Sequence, residues 1–191
     1  AGRKAAALVT DMNDPLGYEI GNANEVAEAI AVLKGEAKVP DVANLSVEFA
    51  ARMVALVKEL DLESARAECR ARLADGSAYA KFAAMVAAQG GDLERFSRVL
   101  AQPVFRFRIQ AMRSGTVTAV DAARVGRVAL MLGAGRQAAG DRIDPLAGIT
   151  LAVKRGARVT VGSPLATLQT SRSPDGLEAA AAELLKAFAI G

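Results

Sequence analysis

Two hydrophobic rhythms share this chain, one with helical spacing and one that alternates. The run Ala-Ala-Ala-Leu-Val at residues 5–9 lies between Lys4 and Thr10. A short continuous apolar stretch of this kind predicts a buried strand over Lys4–Thr10. Asp11–Gly17 holds Asn, Asp, Pro and Gly and reads as a loop. Val26, Ala29, Ile30 and Leu33 recur at helical spacing, which predicts a helix over Ala23–Lys34 with Asn22 as its N-cap and Gly35 as its stop. Strand, loop and helix form a β-α unit. From Asp41 to about Leu100 the pattern is helical almost throughout. Leu45, Phe49, Met53, Val54 and Val57 form one apolar stripe, and Asp61 or Ser64 can cap the next helix, which ends near Gly76. Further helices are expected over Ala78–Ala88 and Asp92–Leu100.

At Pro103 the rhythm changes to alternation, so a domain boundary is placed there. Strands are expected over Val104–Arg113 and Gly115–Val120, then a helix capped by Asp121 that ends at Leu132 before Gly133. Residues 148–170 carry two short alternating runs broken by Gly156 and Gly162 and read as a β-hammerhead or barrel-like unit. A last helix is expected over Pro174–Ala189. The fold class is therefore α/β, or α+β within this stretch.

Composition narrows the chemistry. Hydrophobic residues make up 52% and aromatics only 4%, so the core is built from aliphatic side chains. The 24 Lys and Arg against 21 Asp and Glu give a net charge of +3 without a basic run. Arg106, Arg108 and Arg113 beside Phe105 and Phe107 are the densest cationic group, but their alternation is that of a half-buried strand, and no nucleic-acid partner is expected. Histidine is absent and Cys69 is the single cysteine, which removes a histidine-based triad, an internal disulfide and a Cys/His metal cluster. No apolar run reaches the roughly 20 residues of a membrane helix, so no membrane partner is expected. The start lacks both a signal-peptide core and an initiator methionine, so the chain is expected to begin inside a longer protein.

Two motifs fit blander readings. Gly133–Ala138, GAGRQA, has the spacing of a dinucleotide loop, but a helix precedes it where a strand is needed; a helix end is the expectation. Lys154 sits in a hammerhead-like stretch, yet not at the hairpin tip where carrier domains present a modified lysine. The loop Leu16–Glu19, with Glu25 or Glu28 one helical turn on, offers oxygens suited to a hard cation. An acidic first turn that simply complements the helix dipole is the alternative.

The segment LVTDMNDPLGYEIGNANEVAEAIAVLKG resembles a stretch of pyrimidine-nucleoside and thymidine phosphorylases that runs T-D-M-x-Q-P-L-G and then G-N-A-L-E-V-x-E-A-I. Asp14 stands where Gln is usual and Asn24 where Leu is usual. FAAMVAAQGGD (Phe82–Asp92), GTVTAVDAARVGRVALMLGAGR (Gly115–Arg136) and DRIDPLAGITLAVKRGARVTVGSPLATLQT (Asp141–Thr170) resemble the family in the same order.

The resemblance implies an enzyme that splits a pyrimidine nucleoside with phosphate as co-substrate, giving the free base and a (deoxy)ribose 1-phosphate. It implies a homodimeric, cytoplasmic parent. Residues 1–102 would be the last part of its α/β domain and residues 103–191 its C-terminal domain. The family's phosphate loop and base-binding residues precede the T-D-M segment, so no catalytic residue is expected in this chain, which alone should be inactive. The resemblance also implies a structural potassium or calcium ion, held by the carbonyls of Leu16 and Glu19 and the carboxylate of Glu28. A nucleoside-monophosphate phosphorylase of the same superfamily and a non-catalytic binding module are the alternatives.

Overall fold

The computed structural model describes residues 2, 4–136 and 138–191 and divides the chain into two units. The first comprises residues 1–10 and 29–93, the second residues 11–28 and 94–191. These units follow contacts within the chain, whereas the expected division at residue 103 followed the change of periodicity there and the family's domains.

The second unit carries all the described strands. Its elements are β1 (Glu19–Gly21), the first half of α1 (Ala23–Leu33), most of α5 (Leu93–Leu100), β2 (Phe105–Gln110), β3 (Gly115–Val120), α6 (Ala122–Leu132), β4 (Gly148–Leu151), β5 (Arg158–Val159), β6 (Pro164–Thr170), α7 (Leu177–Leu185) and β7 (Phe188–Ile190). One antiparallel sheet has the order β1-β4-β6-β2 and the other the order β5-β3-β7. The fold class is mixed α/β with antiparallel sheets. Alternation along β4 sends Ile149 and Leu151 inward, and Leu165 and Leu168 of β6 reach the same core across the register shift opposite Gln110. There they meet Val125, Val128 and Leu132 of α6 and Leu177, Ala181 and Leu184 of α7.

Helix α6 begins and stops where its sequence directs. The Asp121 carboxylate accepts from the Arg124 amide at 2.9 Å, and Gly133 closes the helix with φ of 105°. GAGRQA is thus a helix end, apart from Gln137, which lies outside the described residues. An Asp121→Ala variant is expected to lose about 1 kcal/mol of stability, read by urea denaturation, because that amide then has no partner in the chain.

The last helix is shorter than expected. It stops at Leu185, and Phe188–Ile190 return as a strand on β3. Two β-favouring residues, Phe188 and Ile190, outweigh the helical tendency of the alanines before them once β3 offers a ladder.

The first unit is helical, with α2 (Pro40–Lys58), α3 (Leu62–Ala74), α4 (Ser77–Ala88) and the second half of α1. Gly35, at φ of 72°, ends α1, and the Glu36 amide reaches back to the Ala31 carbonyl at 2.8 Å. Asp61 caps α3 through the Ser64 amide. Arg66 of α3 grips Glu48 of α2 with two nitrogens at 2.7 and 3.0 Å.

Two expectations fail in this unit. Lys4–Thr10 is not a strand: no described strand pairs with it, and Val9 is 98% exposed. An extended segment becomes a strand only through a neighbour's hydrogen bonds, and composition cannot supply that neighbour. The apolar stripe of α2 is not its buried face. Val47 and Ala51 are buried, while Phe49, Met53 and Val57 stay exposed. Fully buried Ala51 and Ala65 let α2 and α3 approach closely, and the larger side chains are left on other faces.

Candidate functional site

The loop before β1 and the helix after it form one hydrogen-bonded assembly. Asp11 accepts from the Asn13 amide at 2.9 Å and the Asn13 side chain at 2.6 Å, a local turn that holds its carboxyl below the ordinary aspartate value. Gly17 is buried with φ of 71°, a conformation that a side chain would strain.

Three polar residues at the start of α1 turn back onto the backbone of this loop and of β1. Glu28 accepts from the Tyr18 amide at 2.9 Å, and Glu25 accepts from the Gly21 amide at 2.8 Å. Asn24 donates to the Ile20 carbonyl at 3.0 Å and to the Glu19 carboxylate at 3.1 Å. Glu19 also accepts from the Thr150 hydroxyl on β4 at 2.7 Å. Asn22, expected to cap α1 with its side chain, instead donates to the Ala134 carbonyl at 2.6 Å, although its own carbonyl does accept the Val26 amide.

The sheet register fixes where the backbone oxygens point. The Leu151 amide donates to the Tyr18 carbonyl at 2.7 Å, so Tyr18 and Leu151 form a hydrogen-bonded pair. The next pair, Glu19 and Thr150, is then of the non-hydrogen-bonded kind, and the Glu19 backbone carbonyl faces away from β4 at the sheet edge. Leu16 lies two residues before Tyr18, whose amide holds Glu28. The carboxylate of Glu28, held by the Tyr18 amide, is thus placed beside the backbone of this loop. One carboxylate among neutral carbonyls is a donor set that suits a hard cation. Among the described residues no group of three or more Asp, Glu, Cys or His side chains is placed to hold a metal ion. Glu25 is committed to the Gly21 amide.

The same loop is held by distant residues that sequence spacing did not reveal. Lys154, at the end of β4, donates to the Pro15 carbonyl at 3.2 Å, with its ammonium 5.0 Å from the Tyr18 ring centre. Arg155 meets Asp14 at 2.9 Å and Asp11 at 3.8 Å. Asp14 also accepts from the Val120 amide at 3.2 Å, and the Asn13 carbonyl accepts from the Ala122 amide at 2.9 Å. Asp14, where the resembled pattern has Gln, gives Arg155 the nearer of its two charged partners.

Cys69 is half-buried on α3 and lines an apolar groove of α1, α2, α3 and α4 together with Val32, Val42, Val47 and Leu73. Arg106 and Arg108 lie exposed along β2, the edge strand of the first sheet. No helix among the described residues is long and apolar enough to cross a membrane.

Residues 116–191 match the model of the pyrimidine nucleoside phosphorylase C-terminal domain. The chain is 39% identical over 174 residues to a pyrimidine-nucleoside phosphorylase of Bacillus subtilis, covering 90% of this chain and 40% of that protein. It is 41% identical over 184 residues to a thymidine phosphorylase of Mycobacterium tuberculosis, covering 96% of this chain and 41% of that protein. A thymidine phosphorylase of Mesorhizobium japonicum is 37% identical over 198 residues, covering 100% of this chain and 44% of that protein. The chain thus spans about two fifths of the length of these relatives. A matched C-terminal domain, together with close to 40% identity along nine-tenths of its length, places the chain in the pyrimidine-nucleoside and thymidine phosphorylase family.

Proposed function

We propose that this chain is the C-terminal portion of a pyrimidine-nucleoside phosphorylase, a glycosyltransferase that acts on thymidine or uridine in a homodimeric, cytoplasmic enzyme. In the reaction the bond between the sugar and the base nitrogen breaks, a phosphate oxygen bonds to the anomeric carbon, and the base leaves with the electron pair and takes up a proton. The resemblance locates the phosphate loop and the base-binding residues before residue 1. Residues 1–191 therefore contribute scaffold and part of a cation site, and alone are inactive.

The exposed apolar surface of the first unit is the observation that carries this reading. Val9 is 98% exposed, Met53 61% and Val57 83%, in an extended segment and a helix with apolar sequences. Such surface marks a face that another polypeptide segment covers. A potassium or calcium ion between the carbonyls of Leu16 and Glu19 and the carboxylate of Glu28 would hold the loop against α1. Anchorage of Glu28 by the Tyr18 amide and the outward-facing Glu19 carbonyl support this donor set.

The experiment is to sequence the parent gene product upstream of Ala1 and to measure its intact mass. A protein more than twice this length, with a glycine-rich loop suited to phosphate, is the expected result. A product that starts at or just before Ala1 would instead make the chain a binding module that keeps the family's C-terminal scaffold.

A further inference from the structure

The turn that links β4 to β5 places two cations on one loop, and the chemistry of that loop makes the arrangement informative. Lys154 takes the Pro15 carbonyl, one peptide before the Leu16 carbonyl, and lies over Tyr18, whose amide holds Glu28. Arg155 takes Asp14 and reaches toward Asp11. Asp14 is also fixed by the Val120 amide. The loop is therefore held from the β4–β5 turn, from the end of β3 and from α1.

We infer that Lys154 and Arg155 are positioning residues for the cation site of Leu16, Glu19 and Glu28: they hold the loop backbone on which its oxygens lie, although both carry charge of the wrong sign for a cation's neighbour. This inference rests on the cation reading proposed above. Two opposing effects make it testable. By charge alone, removing an ammonium beside a cation site tightens cation binding, since like charges repel. As a positioning device, its removal loosens the loop and weakens binding, because the ordering of the loop must then occur at the binding step.

The experiment is calorimetric titration of the parent protein that carries this chain with potassium chloride and, separately, calcium chloride, at ionic strength held constant with choline chloride. The variants are Lys154→Met, which keeps the stem over Tyr18 while removing the donor, Arg155→Ala, and Glu28→Gln. Thermal unfolding of each in choline chloride alone confirms that it is folded. The expected result is that Glu28→Gln abolishes binding while Lys154→Met and Arg155→Ala each weaken it about tenfold, the loss of pre-organisation outweighing the relief of repulsion. Binding that is unchanged or tighter in both the Lys154 and Arg155 variants, with Glu28→Gln still abolishing it, would overturn the positioning role and leave the cation site standing. No binding of either ion by the unsubstituted parent, or binding that Glu28→Gln leaves intact, would overturn the cation site and the positioning role with it.

Discussion

Replacing Gly148 with alanine is expected to lower the stability of the second unit by about 3 kcal/mol, at the upper end for an overpacked site. An added Cβ would lie 2.5 Å from the Ile20 carbonyl oxygen and 2.7 Å from the Asn24 amide nitrogen. The first of these is strand backbone, held in the β1–β4 ladder, and cannot yield without breaking the pairing. Gly21 stands opposite Gly148 in register, and a Cβ there would meet the Ala147 carbonyl at 2.6 Å and the Asn24 side chain at 2.6 Å. The two glycines thus form a floor on which Asn24 lies, so that Asn24 can bridge Ile20 and Glu19. Gly126 provides the opposite case. It is exposed on α6, and a Cβ there meets nothing within 4 Å. Gly126→Ala is expected to gain about 0.5–1 kcal/mol. Guanidinium unfolding of both variants checks the pair, and equal effects would mean that crowding at the β1–β4 crossing has no energetic weight.

The second large effect is expected at Asp144, which is 3% exposed. Its two carboxylate oxygens accept four hydrogen bonds: from the Thr170 hydroxyl at 2.8 Å, the Ser171 amide at 2.7 Å, the Ser171 hydroxyl at 2.8 Å and the Leu146 amide at 3.0 Å. Its own amide donates to the Gly133 carbonyl, so one residue joins the end of α6, the approach to β4 and the end of β6. Burial pushes the carboxyl up, but the bonds from Ser171, Thr170 and Leu146 outweigh it and hold the group below the ordinary aspartate value. A depressed native value means that the unfolded chain binds the proton more readily. The stabilisation is therefore complete above the unfolded value of about 4 and is lost as the pH falls from there through the lower native value. Asp144→Ala leaves two amides and two hydroxyls without their acceptor and is expected to cost about 3 kcal/mol at neutral pH. It should also flatten the acid limb of the stability curve. Denaturation midpoints measured from pH 7 down to about pH 3 give both readings. An Asp144→Ala protein as acid-sensitive as its parent would show that the carboxylate's bonds do not set that limb.

These two residues also show what the sequence conceals. Helix ends were legible because their signals are local: Asp121 three residues before the amide it binds, Gly35 and Gly133 just past the last turn. Strand β3 was found at its full length from alternation between turn signals. Features set by partners far along the chain were not legible. The run Lys4–Thr10 has the composition of a buried strand, but composition does not show whether a ladder exists beside it. Strand β7 is three residues long and follows an alanine-rich helix, and only its pairing with β3 makes it a strand. Asn24 looked like a departure from a familiar pattern, whereas its buried position makes it a link between α1 and β1. Lys154 was weighed only as a carrier-type lysine in a hammerhead-like stretch, yet the partners of Lys154 and Arg155 lie about 140 residues earlier in the loop. For the site, the resemblance pointed to Leu16, Glu19 and Glu28. The contacts that hold the loop around them became visible only in three dimensions.

Phosphate-dependent release of base, followed by chromatography with thymidine and with uridine, is the measurement that bears most directly on the proposed function. It should be made on the parent protein that carries this chain and on residues 1–191 alone. The account predicts that the parent releases thymine or uracil, forms an equal amount of sugar 1-phosphate and stops when phosphate is withheld, while residues 1–191 release nothing. Base release by residues 1–191 alone would contradict it, and so would a parent that acts only on nucleoside monophosphates or that binds nucleosides without cleaving them.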